Sequence, residues 1–283
     1  MVQRGNSKID ISIKQLGFTT FAFGLLTGLL LTGIFAQVLN TDKPGKIDKL
    51  NDNNQNPTVE NSEQNNQIQQ LNLQGVNAGT GEGSFEWLGG KVNLEGNPYL
   101  GSEDARFIMV TYEDFDCPYC GQHNRNGFKN IVENQVKNGT VQYFYKHYNT
   151  QQGIGKIADQ ATRCALNQDE KAFWQMKNKI YQNQDKLNSQ NIKSNVLDYA
   201  EQIGTNSQQL KTCINQEKTL NTRKQHQQEA ENFNYQLSGN TEFPAGTPAF
   251  LLYDTQTENF ETMHGGRKSE DISKTIKNLK LEV

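Results

Sequence analysis

Phe107-Ile108-Met109-Val110-Thr111-Tyr112-Glu113-Asp114-Phe115-Asp116-Cys117-Pro118-Tyr119-Cys120-Gly121 decides the fold. The run from Phe107 to Tyr112 is apolar and β-branched, the pattern of a buried strand. The stretch from Gln122 to Lys137 reads as a helix. The two cysteines therefore stand at a strand-to-helix junction, the context in which C-x-x-C is a dithiol redox motif. A thiolate at a helix start meets unpaired backbone N–H groups and the positive end of the helix dipole. Both lower the thiol pKa, and the thiolate is the attacking species. Cys117 is expected as the exposed nucleophile at the cap. Pro118 fills the first helical position, where its missing N–H costs nothing. Cys120, one turn further, is expected as the buried resolving thiol. Half of a zinc site is the rival reading. No second C-x-x-C exists, and His123, His147, His226 and His264 show no ligand spacing, so no metal is expected.

The 283 residues carry a net charge of -3, which gives no reason to expect a nucleic-acid partner. A mean hydropathy of -0.79 is low for one globular unit, so part of the chain is expected to lack a core. Residues 1–14 are polar and net positive, and Gln15 to Thr41 carry no charge. Leu16 to Leu39 is apolar and long enough to cross a ~30 Å hydrocarbon core as a helix. Residues 1–41 thus read as a short tail and a signal-anchor. Cleavage is the competing outcome, but Ile34-Phe35-Ala36 fits a cleavage site poorly. Residues 42–83 are rich in Asn and Gln and read as a disordered tether, with a reach of roughly 35 Å. The folded domain is expected over 84–283.

Within that domain the expected strands are Phe85–Leu88, Arg106–Tyr112, Val141–His147, Ala249–Tyr253 and Phe260–Met263. Residues 152–236 read as helices, with Ile157, Ala161, Cys164, Ala165, Ala172 and Met176 at helical spacing. Ser269 to Leu279 closes the chain as a helix. The order is that of an α/β thioredoxin fold with a helical insertion. In such a core, the proline at a strand start beside the dithiol is cis, and Thr247-Pro248 holds that place. The backbone of Thr247 is then expected to pair with an extended substrate.

Phe115-Asp116-Cys117-Pro118-Tyr119-Cys120, the helical Ala161-Thr162-Arg163-Cys164-Ala165 with Phe173-Trp174, and Gly246-Thr247-Pro248 together resemble the DsbA-like thiol–disulfide oxidoreductases. The similarity covers roughly 95–281. It implies an extracytoplasmic enzyme that exchanges disulfides with reduced secreted proteins, needs no cofactor beyond its own dithiol, and is reoxidised by a membrane partner of the DsbB or VKOR type. An anchored, single-pass protein of the cell membrane follows. A reductase or isomerase on the same fold, and a tethered non-catalytic client-binding module, remain the other readings.

The residues placed to tune the pair are Asp114, Pro118, Tyr119 and His123. Where related domains carry a buried acid, this chain has Thr111, and Asp114 is the candidate proton acceptor for Cys120. His123 is expected as an exposed helix residue. The acids around Cys117 should raise its pKa against the helix dipole. Cys164 and Cys213 lie on apolar helix stripes. They form a structural disulfide across the insertion or stay as two core thiols.

Overall fold

A computed structural model describes residues 71–87, 90–149, 153–216, 220–237 and 246–281. The sheet is built outward from β5 (Phe107–Glu113) and β6 (Val141–His147), which run parallel in register from Phe107–Val141 to Glu113–His147. Both strands are buried along nearly their whole length, as parallel strands covered on two faces must be. On the other side β5 pairs antiparallel with β7 (Ala249–Asp254), and β7 pairs with β8 (Phe260–His264). Beyond β6 lie β4 (Pro98–Leu100) and then β1 (Ala78–Thr80), giving the order β1-β4-β6-β5-β7-β8. A separate hairpin joins β2 (Ser84–Trp87) to β3 (Gly90–Asn93). Arg106 clamps the start of β5 to the end of β7, with Nε and Nη2 donating to the two Asp254 oxygens at 2.8 and 2.6 Å.

After β5 comes α1 (Pro118–His123), a π-helical turn at Asn124–Phe128, α2 (Lys129–Ile131) and a second π turn at Val132–Val136. The expected single helix is thus interrupted twice. Between β6 and β7 stand α3 (Gly155–Leu166), α4 (Glu170–Gln182), α5 (Ile192–Gln202), α6 (Ser207–Asn215) and α7 (Leu220–Leu237). Two starts carry local caps: Asp169 accepts from Ala172 N–H at 2.9 Å, and Asn206 from Gln209 N–H at 2.9 Å. α5 stops before Gly204, which adopts the left-handed conformation (φ 81°) of a helix stop. Helix α8 (Ser269–Leu281) closes the fold on Ile272, Ile276 and Leu279.

Side chains alternate across β5 and β6 and split the core in two. Tyr143 and Tyr145 face the helical block with Phe115, Phe128, Phe173, Trp174 and Tyr181. Phe144, Val110 and Tyr112 face Trp87, Val92 and Tyr99 on the other side. Trp174 lies 5.2 Å from Phe173, 5.7 Å from Phe128 and 6.0 Å from Tyr143 between ring centroids. Each such pair contributes ~0.5–1.5 kcal/mol beyond area burial.

Two sequence expectations are corrected here. Residues 71–83 belong to the folded domain and not to the tether. Leu71, Leu73 and Val76 are buried, Gln175 Nε2 donates to Leu71 C=O at 2.8 Å, and β1 adds to the sheet. Three apolar residues scattered among polar ones form no periodic window, so only the docking surface reveals them. The strand near Phe85 forms, but it belongs to the side hairpin, not to the main sheet. The expected anchor at 16–39 lies outside the described residues, and none of the described helices is long and apolar enough to cross a membrane.

Candidate active site

The loop after β5 turns on Asp114, whose Oδ1 accepts from Asp116 N–H at 3.0 Å. It delivers Cys117 to the cap of α1 in an extended conformation (φ -80°, ψ 118°), with Pro118 entering the helix. The Cys117 carbonyl accepts from Cys120 N–H at 3.1 Å and Gly121 N–H at 3.2 Å, closing the first turn. Across the sheet, the Thr247–Pro248 peptide is cis. Cys117 Sγ donates to Thr247 C=O at 3.1 Å. Cys117, Cys120, Thr247 and Pro248 are therefore gathered at one point from two ends of the chain.

Cys117 is not the exposed thiol expected from its cap position. Only 5% of it is accessible, against 0% for Cys120, because the Thr247 segment closes over the sulfur. The surface beside it is open instead: Pro118 is exposed, and Tyr119 is 67% accessible. Both cysteines are free, so the structure holds the dithiol.

The two sulfurs differ sharply in acidity. Cys117 is lowered to about 6, first by a hydrogen bond from the Cys120 thiol, which outweighs burial. Thr247 and the N–H groups of Cys120 and Tyr119 add to this. A thiolate cannot donate to the Thr247 carbonyl; the Thr247 hydroxyl, buried with no hydrogen-bond partner among the described residues, is free to turn to it. Cys120 moves the opposite way, well above the ordinary thiol value, through burial, the bond to Cys117 and the nearby Glu113 charge. The acids of the loop therefore do not push Cys117 up as expected.

Glu113 is the carboxylate whose charge acts on Cys120. Asp114 approaches Cys120 through its backbone N–H, 3.5 Å from Sγ. Glu113 and Lys177 are both fully buried, 3.3 Å apart. Glu113 Oε2 accepts from Asn124 Nδ2 at 2.6 Å, and Oε1 lies 3.3 Å from the hydroxyls of Thr111 and Tyr143. Lys177 donates to Asn124 Oδ1 and stands 4.2 Å from the Phe128 ring centroid and 5.3 Å from that of Tyr181. Burial raises the Glu113 pKa, but the Lys177 charge and the hydrogen bonds outweigh it, and the net shift is down. Burial also lowers Lys177, and Glu113 recovers only part of that.

His123 is buried, 2% accessible, where an exposed residue was expected. Its Nδ1 accepts from Arg267 N–H at 3.3 Å, and its ring meets Phe250 edge-on at 4.9 Å. Burial lowers its pKa to about 4, so it is neutral. Lys177 was missed altogether, although a lysine three residues after Trp174 and four before Tyr181, on an apolar helix stripe, was a readable signal.

The thioredoxin family model matches residues 93–277, well over half of the chain. The chain belongs to the thioredoxin family. Disulfide bond formation protein D of Bacillus subtilis is 25% identical over 97 residues, which cover 34% of this chain and 44% of that protein. The chain thus matches less than half the length of that relative. The oxidised BdbD structure from Bacillus subtilis superposes with a TM-score of 0.53 at 18% identity, covering 64% of this chain and 91% of that one. Alpha-DsbA1 of Wolbachia pipientis gives 0.54 at 18%, covering 65% and 90%. The fold is therefore that of DsbA-like thioredoxin proteins, helical block included. In that block a disulfide joins Cys164 of α3 to Cys213 of α6, closing a separation of 49 residues. It takes the first of the two alternatives left open for these cysteines. Among the described residues no cluster of His, Cys, Asp or Glu is arranged to hold a metal.

Proposed function

We propose that this chain is an extracytoplasmic thiol–disulfide oxidoreductase that passes the Cys117–Cys120 disulfide to cysteines of secreted or membrane proteins. The observation that carries the reading is the placement of Cys117 at the cap of α1, its Sγ 3.1 Å from the Thr247 carbonyl, with Cys120 fully buried one turn in; Cys117 is accordingly lowered to about 6 and Cys120 raised well above its ordinary value. In the disulfide form, a client thiolate attacks Cys117 Sγ and the bond to Cys120 breaks. Cys120 leaves as a thiolate and takes a proton, as its high pKa favours. A second client thiolate then attacks the client sulfur of the mixed disulfide, and Cys117 leaves as a stable thiolate. The client loses two electrons and gains a disulfide; the protein is left as the dithiol. A low pKa at the leaving sulfur stabilises the reduced protein and so favours donation over reduction of clients.

Thr247, whose carbonyl lies 3.1 Å from the sulfur, supplies the backbone along which an extended client strand pairs. Tyr119 offers an exposed apolar face beside it. The dithiol is the only redox group the reaction needs. Reoxidation falls to a membrane partner of the DsbB or VKOR type, and Leu16 to Leu39 anchors the protein with its catalytic domain outside the cytoplasm. The relatives named for disulfide bond formation support this direction of exchange.

Refolding of reduced RNase tests the assignment. The oxidised protein should restore RNase activity, and Cys117→Ser should not. Equal rates from the two would sink it. Rapid insulin reduction with no RNase oxidation would point to a reductase on the same site.

A further inference from the structure

We infer that Asp116 and Gln184 are positioning residues, which bolt the backbone on both sides of Cys117 to the helical block and so fix where the nucleophilic sulfur stands. This rests on Cys117 being the exchanging sulfur. The two bolts are independent. Asp116 Oδ1 accepts from Ile154 N–H at 2.7 Å, and Oδ2 from Gly155 N–H at 2.8 Å. These are successive N–H groups at the start of α3, whose own Ncap residue, Ile154, supplies no side-chain cap. Asp116 is the missing cap, brought from 38 residues away in the chain. Its negative charge thereby faces the positive end of α3.

Gln184 comes from the short turn Gln184–Lys186 after α4. Its Nε2 donates to Phe115 C=O at 2.8 Å and to Cys117 C=O at 2.9 Å, so both amide hydrogens are used. Two carbonyls on one side settle which end of the amide is nitrogen. The surroundings are shaped around these two side chains. A Cβ at Gly121 would overlap Gln184 Oε1, and one at Gly153 would overlap Asp116 Oδ1. The carbonyl that Gln184 grips is also the one that closes the first turn of α1. The N–H groups of Tyr119 and Cys120 in that turn help to lower the Cys117 pKa. Loosening the grip moves those N–H groups and removes two N–H dipoles from the carbonyls on either side of Asp116.

Packing alone predicts none of this chemistry, and thiolate titration separates the two. Gln184→Met in the full chain keeps the length and volume of the side chain but cannot donate. The expected result is a Cys117 titration displaced upward by about 0.5 unit or more, with exchange at mildly acidic pH slowed about threefold. Gly121→Ala, which pushes Gln184 off its carbonyls, should move the midpoint the same way. Titration curves for both variants that superimpose on the unmodified protein would overturn the role assigned to Gln184, and an Asp116→Ala protein whose Cys117 titration and exchange rate are unchanged would overturn that of Asp116. An unmodified protein with no thiolate below the ordinary thiol range would overturn the assignment of Cys117 itself.

Discussion

Removing the ammonium of Lys177 should cost far more than removing it together with its partner. Lys177→Met leaves the Glu113 carboxylate buried among Asn124, Thr111 and Tyr143 with no opposing charge. Breaking a buried pair from one side costs about 3–5 kcal/mol, a large part of the ~5–15 kcal/mol that holds a domain together. Glu113→Gln should cost less, because Lys177 keeps Asn124 and its aromatic faces, with Phe128 at 4.2 Å. The double variant should lie within about 2 kcal/mol of the parent. The pair gives Glu113 a favourable setting but leaves Lys177 short of its hydration, so its net contribution is small. A double-mutant cycle by urea unfolding of the disulfide form measures this, and ~2 kcal/mol or more of coupling is expected. With a slope of ~2 kcal/mol/M, Lys177→Met should lower the midpoint by roughly 1.5–2.5 M. A Lys177→Met midpoint equal to the parent's, or a double variant as weak as the sum of the singles, would refute the reasoning. The pH sign is also fixed. The folded Glu113 pKa is lowered, so its share of stability is present above the ordinary carboxylate range and lost as pH falls through the folded value.

Four further outcomes are expected. Thiolate absorbance of the reduced protein should titrate with a midpoint of about 6 for Cys117, and Cys117→Ser should abolish that step; a midpoint in the ordinary thiol range contradicts it. Since this pKa is lowered on folding, the reduced form should lose stability relative to the oxidised form as pH falls through that midpoint. Replacing Cys164 and Cys213 together with alanine should cost about 4 kcal/mol in the chain-entropy view of a 49-residue separation, read by urea unfolding; an unchanged midpoint contradicts it. His226, lowered by burial and by Arg163, Lys146 and His147, must be neutral in the fold, so stability should fall below about pH 6.5. Melting temperatures for His226→Gln should fall less steeply over that range.

The parts of this molecule that local pattern controls were legible in the sequence. The apolar run of β5, the motif at its end and the helical stripes of α3 to α6 each follow from neighbours within a few residues. What escaped is set by contacts across long separations. Cys117 is covered by Thr247, 130 residues away, and no cap rule carries that information. His123 is buried by the Arg267 segment, 144 residues on. Glu113 looked like one loop acid among three, because only the fold sets Lys177 beside it. The three-residue strands β1 and β4 are too short to show a period.

Much of what surrounds the Cys117 sulfur is owned by the inserted helices. α3 receives Asp116, Gln184 grips two carbonyls of the loop, Tyr181 stacks on Phe115 at 4.7 Å, and Lys177 balances Glu113. The block is therefore not an accessory that can be pared away. A trimmed version holding only the sheet, α1 and α8 would keep both cysteines yet strand a carboxylate, uncover an aromatic ring and release the loop. Grafting the hexapeptide Phe115–Cys120 onto a plain thioredoxin scaffold would transfer the letters without the properties.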